Sequence, residues 1–192
     1  MFYFVLQTLS EKEDCPIDSR AFSKEGLLIN QSLLGDLKNG WFGSDQNGCG
    51  WIAVYNVLKM LGATVRPEWV MEDLRGGLVL GGKFGTHVYY VQHYLRKRGY
   101  RVRLCMIPPR FSAVAKTADA CILLYRHRRG NHFAALRREN GRFHFYNALS
   151  GAADDIRTME EFLKAERQIP PCMLIAVNKR IPESHGKSGG GT

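Results

Sequence analysis

The chain has 192 residues, 45% hydrophobic and 11% aromatic, enough to bury a core and too short for two comfortable domains. That composition excludes a disordered chain, and no apolar run approaches the ~20 residues of a membrane helix. The formal charge of +9 is concentrated: residues 96–142 hold 13 Lys or Arg against Asp119 and Glu139, which leaves the remainder slightly acidic.

The apolar residues 2–7 predict a strand. They lack the basic lead-in and small-residue cleavage site of a signal peptide, so a cytoplasmic setting is expected. Residues 15–45 read as irregular, with a short helical stretch near Ser23–Leu37. From Gly50 to Leu61 apolar residues recur at helical spacing, and Gly62 supplies the stop. A second short helix follows Pro67, a residue suited to a first turn. The glycines at 76–77 and 81–82 mark a loop that lacks the Lys-Ser/Thr ending of a phosphate-binding loop.

Thr86 to Lys97 predicts a helix capped by Thr86 and ended by Gly99. Tyr100–Ile107 predicts a strand closed by Pro108-Pro109; Ala120–Tyr125, Asn131–Arg138 and Arg142–Leu149 predict three more. Thr158–Glu166 has the form of a helix with Thr158 and Glu161 as a capping box, and Cys172–Val177 of a last strand. Residues 183–192, ending Ser-Gly-Gly-Gly-Thr, read as a flexible tail. Helices come mostly first and strands mostly later, without repeats. The expectation is one α+β domain over residues 1–182.

The five cysteines are odd in number, scattered and free of any C-x-x-C pair, which fits free thiols in a reducing compartment. Cys105, Cys121 and Cys172 lie in or beside apolar runs and read as inert core residues. Cys49 differs. The polar, glycine-containing segment Gly43–Trp51 delivers it to the start of an apolar helix. A helix N-terminus presents unpaired N–H groups and partial positive charge, which favour thiolate and can hold an oxyanion. The expectation is a lowered thiol pKa; a small buried residue at a helix start is the competing reading.

Downstream, Asn140-Gly141 predicts a two-residue hairpin turn with Glu139 facing Arg142. That register pairs His132 with Leu149 and Ala134 with Asn147. His132 and Asn147 then share a face as diagonal neighbours, roughly 7–8 Å apart at the backbone. Leu136, Phe143 and Phe145 fill the rest of it. A His and an Asn on an apolar surface need partners. An Asn that fixes the imidazole tautomer, leaving the other nitrogen for a thiol, supplies the reason. The remaining histidines have no ligand spacing, so neither a metal nor a cofactor is expected.

These residues resemble the papain-like cysteine peptidase superfamily. Asn47-Gly48-Cys49-Gly50 before a helix, the Gly85–Gly99 helix, and Asn131-His132-Phe133 before Phe145-Tyr146-Asn147 resemble the bacteriocin-leader peptidase-like group. His132-Phe133 through Asn147-Ala148-Leu149-Ser150, then Ile156 and Glu161-Phe162-Leu163, resemble the Josephin deubiquitinases. The resemblance implies a papain-like fold: an N-terminal helical part, the nucleophile at a helix start, packed on an antiparallel sheet. It implies Cys49 as nucleophile, His132 as general base and acid, and Asn147 as the residue orienting His132. The family's oxyanion Gln lies five or six residues before the Cys. Here Gln46 is three before and Gly43 holds the sixth position back, so either Gln46 serves the oxyanion hole or the hole relies on backbone N–H groups. The leader-peptidase group commonly has Asp where this chain has Asn147.

The implied reaction is hydrolysis of a peptide or isopeptide bond through a thioester, on a polypeptide substrate for which the basic segment suggests acidic character. Two alternatives stand beside it. One keeps the triad and changes the acceptor, as in acyl transfer, transglutamination or deamidation. The other is a non-catalytic basic module binding acidic protein or, as an outside possibility, nucleic acid. Residues 15–45 and 76–85 are expected to frame the cleft.

Overall fold

The computed structural model describes residues 17–127, 130–148, 155–165 and 172–180. The expected strand at 2–7 and the tail at 183–192 lie outside the described residues.

The two-residue turn at Asn140-Gly141 forms with both residues at positive φ, 47° and 83°, the backbone twist that matches paired strands. It joins β5 (Gly130–Glu139) to β6 (Arg142–Tyr146) in the expected register, from Glu139–Arg142 to Ala135–Tyr146. Pairing stops there: Asn147, at φ 57°, turns the chain off the strand line, and the expected Ala134–Asn147 pair does not form.

Around this hairpin stand β3 (Arg101–Cys105), β4 (Ala120–His127), β7 (Asp155–Arg157) and β8 (Met173–Asn178). The sheet is antiparallel, in the order β3-β8-β4-β5-β6-β7. Alternation sends Phe133, Ala135, Leu124 and Ile175 to one face, and Leu136, Phe143, Phe145 and Leu174 to the other.

Ahead of the sheet come a ribbon of β1 (Lys38–Asn39) and β2 (Phe42–Gly43), then α1 (Ser44–Asn47), α2 (Cys49–Met60), α3 (Pro67–Leu74) and α4 (Val88–Lys97). On the far face lie α5 (Phe111–Lys116) and α6 (Met159–Ala165). Every residue of α2 from Cys49 to Leu58 is buried, because the helix has the sheet on one side and α3, α4 and the 17–34 segment on others. An all-round apolar sequence suits that central place. Each fully buried Ile, Val or Leu there contributes about 1.5–3 kcal/mol.

Several local expectations change. The stretch Ser23–Leu37 holds no α-helix, only a 3₁₀ turn at Gln31–Leu33, with another at Ser19–Ala21 before it. Ser23 and Asn30 bond nearby backbone N–H groups, and Gly26 takes φ 75°, choices that compete with helix. Thr86 does not cap α4. The helix starts at Val88 without a side-chain cap, and Thr86 packs against Gly50 instead. The 75–82 loop holds a 3₁₀ turn at Arg75–Gly77 and then a kinked stretch in which Leu80 and Gly81 take positive φ. Helix α5, strand β7 and the β1–β2 ribbon were not visible in the sequence pattern. The capping box of α6 forms on both sides, Glu161 N–H to Thr158 Oγ1 at 3.1 Å and Thr158 N–H to Glu161 Oε2 at 2.8 Å.

Candidate active site

Cys49 opens α2, as expected, and is 6% exposed. Gly48 before it keeps a right-handed helical backbone (φ −75°, ψ −9°), so α1 runs nearly without a break into α2. Asn47 fixes this entry: its Nδ2 donates to the carbonyls of Asn39 at 2.8 Å and Gly82 at 3.3 Å, and its Oδ1 accepts from Asn39 Nδ2 at 3.0 Å. The ribbon and the glycine loop are thereby tied to the turn that leads into Cys49. On the other side, a Cβ at Gly50 would come within 2.6 Å of Thr86 Cβ and nearer still to its hydroxyl. Glycine there permits the close approach.

The hairpin decides what meets the sulfur. Its closing pair, Glu139–Arg142, is the hydrogen-bonded kind, so odd-numbered residues of β5 direct their N–H and C=O groups toward β6. β6 ends at Tyr146, and the N–H of Phe133 faces the sulfur of Cys49. Burial pushes the Cys49 thiol up; the N–H groups of Phe133, Gly50 and Cys49 oppose this without cancelling it. The expected net lowering is therefore corrected: desolvation by the core outweighs the helix start. Burial raises the thiols of Cys121 and Cys172 as well, and both lie in the core with Cys105, as expected of inert residues.

His132 precedes Phe133 and is 6% exposed, its ring edge-on to Tyr125 with centroids 5.6 Å apart. Its Nε2 lies 2.6 Å from the main-chain oxygen of Asn147. A carbonyl only accepts, so Nε2 carries the proton, and in the neutral ring the lone pair is on Nδ1. The structure thus joins His132 to Asn147, but through the backbone and not through the expected carboxamide. The carboxamide belongs to another residue. Asn147 Oδ1 accepts from the N–H of Gln31 at 3.1 Å, and Asn147 Nδ2 donates to Gln31 Oε1 at 3.0 Å. Gln31 sits in an irregular segment with no motif around it, and nothing in the sequence singled it out.

Gln46 is exposed on α1, three residues and about one helical turn ahead of Cys49. Gly43, six residues before Cys49, has no room for a side chain. A Cβ there would lie 2.6 Å from the carbonyl oxygen of Gly35 and closer to Asp45 Oδ1. Among the described residues, no cluster of three His, Cys, Asp or Glu could hold a metal ion.

No family model matches the sequence, and no curated protein matches it. Among solved structures, the chain is similar to the peptidase domain of Streptococcus ComA, a bi-functional ABC transporter involved in a quorum-sensing pathway. The TM-score is 0.50 at 14% identity, over 69% of this chain and 91% of that one. It is also similar to a double-glycine-motif protease from an AMS/PCAT transporter, solved in complex with the leader peptide. There the TM-score is 0.48 at 20% identity, over 69% of this chain and 84% of that one. The fold, helices ahead of an antiparallel sheet, is the papain-like arrangement expected from the resemblance, and the ComA peptidase domain shares it.

Proposed function

We propose that the chain is a papain-like cysteine peptidase that hydrolyses a peptide or isopeptide bond through a thioester on Cys49. One observation carries the reading: the Cys49 sulfur faces the N–H of Phe133, and the preceding residue is a histidine whose Nε2 is held on the Asn147 carbonyl at 2.6 Å.

Because burial keeps the thiol protonated at rest, His132 acts as general base during attack and not as half of a preformed ion pair. The Sγ proton passes to Nδ1 as sulfur bonds to the scissile carbonyl carbon. The imidazolium, its Nε2–H on the Asn147 carbonyl, then protonates the leaving amine as the C–N bond breaks. Water hydrolyses the thioester by the same route in reverse, giving its proton to Nδ1 and returning Sγ–H. The main-chain N–H of Cys49 and the Gln46 side chain are the donors for the oxyanion.

The substrate is a polypeptide, and the exposed Arg96, Lys97, Arg98, Arg101 and Arg103 support an acidic one. Among the described residues no helix is long and apolar enough to cross a membrane. The four cysteines among the described residues are free and buried, which supports a reducing, cytoplasmic setting.

The test is incubation with a mixed peptide library, reading new termini by mass spectrometry. Wild type should cleave and Cys49→Ala should not. Transfer of acyl groups to added amines without new carboxyl termini would replace hydrolysis by acyl transfer.

A further inference from the structure

Gln31 occupies the joint between the two halves of the site. Its place is set by Asn56 on α2, which accepts from the N–H of Leu28 and donates to the Leu28 carbonyl, both at 2.8 Å. That clamp pins the chain just ahead of the 3₁₀ turn in which Gln31 lies, and Asn30 caps the turn through the N–H of Ser32. From there Gln31 reaches both ways. Its main-chain N–H and Oε1 hold the Asn147 carboxamide on both edges. Its Nε2 donates to the carbonyl of Asp45 in α1 at 3.0 Å, on the turn that runs into Cys49.

The consequence concerns His132. Asn147 has one side chain and one carbonyl to offer, and it sits in the left-handed region at φ 57°, a conformation Asn adopts more readily than most residues. With the carboxamide engaged by Gln31, the carbonyl is the group left to receive Nε2 of His132. We infer that Gln31 is a positioning residue: it fixes the Asn147 backbone that orients His132 and ties it to the Cys49 turn, so base and nucleophile are held by one side chain. The inference rests on the reading of Cys49 and His132 proposed above.

The test is the alkylation rate of each thiol by iodoacetamide, followed site by site in the intact protein at neutral pH. Gln31→Ala is compared with Asn147→Ala, the double variant and His132→Ala. Gln31→Met, of similar length, breaks both side-chain bonds while filling the space, and serves if Gln31→Ala folds poorly. Expected is a slowing at Cys49 of about tenfold to 10²-fold in each single variant, the scale of a misplaced base. The double variant should be no slower than either single, and the rates at Cys105, Cys121 and Cys172 should not change. A purely structural role would instead speed all the buried thiols together, and additive losses would separate Gln31 from Asn147. Either result overturns the inference. If His132→Ala slows Cys49 but Gln31→Ala does not, the positioning role fails alone. If His132→Ala has no effect, the nucleophile reading fails and this inference with it.

Discussion

The main-chain carbonyl of Asn147, not its carboxamide, lies 2.6 Å from Nε2 of His132. Orientation of the histidine therefore depends on where the backbone at 147 goes, and only indirectly on the side chain there.

His132→Ala should reduce hydrolysis by about 10²–10⁴-fold, the usual contribution of a positioned acid–base group. Asn147→Ala keeps the carbonyl that receives Nε2 and should lose far less, roughly tenfold. Steady-state kinetics on any peptide cleaved by wild type would decide, and equal losses would mean the carboxamide is the functional group after all.

Burial raises the Cys49 thiol, which makes thiolate scarce below neutral pH. Alkylation of Cys49 should be slow at about pH 6 and climb steadily past the ordinary cysteine value, near ~8.5. A rate already at its plateau at pH 6 would indicate a preformed thiolate–imidazolium pair.

Gly43→Gln, which places a glutamine six residues before Cys49, should not raise activity. Its Cβ would be forced against the Gly35 carbonyl, at a cost of about 1–3 kcal/mol in a urea titration. Gln46→Ala should leave stability unchanged and lower kcat by about 10²-fold. A wild-type kcat in Gln46→Ala would assign the oxyanion to backbone donors alone.

Burial pushes the Cys121 and Cys172 thiols from 9.0 up to about 12, and the Tyr146 phenol from 10.0 up to about 12. The folded state keeps protons that the unfolded chain releases, so these groups' contribution is full below about pH 9 and is lost as pH rises toward 12. The urea midpoint should fall across that window, and Cys121→Val should flatten part of the fall. A constant midpoint through about pH 11 would refute the linkage.

What the sequence determined by itself was local. The 3.6-residue recurrence after Cys49 and the stop at Gly62 specify α2, and Asn140-Gly141 specifies the hairpin down to its register, because neighbouring residues alone decide helix phase and turn type. The candidates Cys49, His132 and Asn147 followed from those two elements and the family's spacing. Tertiary structure decided the rest. The left-handed turn at Asn147 stops β6, and the Phe133 N–H faces the sulfur. Packing around α2 reverses the shift expected of a helix-start thiol, since desolvation depends on everything that surrounds the group. Gln31 meets Asn147 across a long sequence separation, where no periodicity carries information. Sequence singled out the candidate side chains. Burial and long-range hydrogen bonds, which arise only when distant segments meet, set their charge state and their aim.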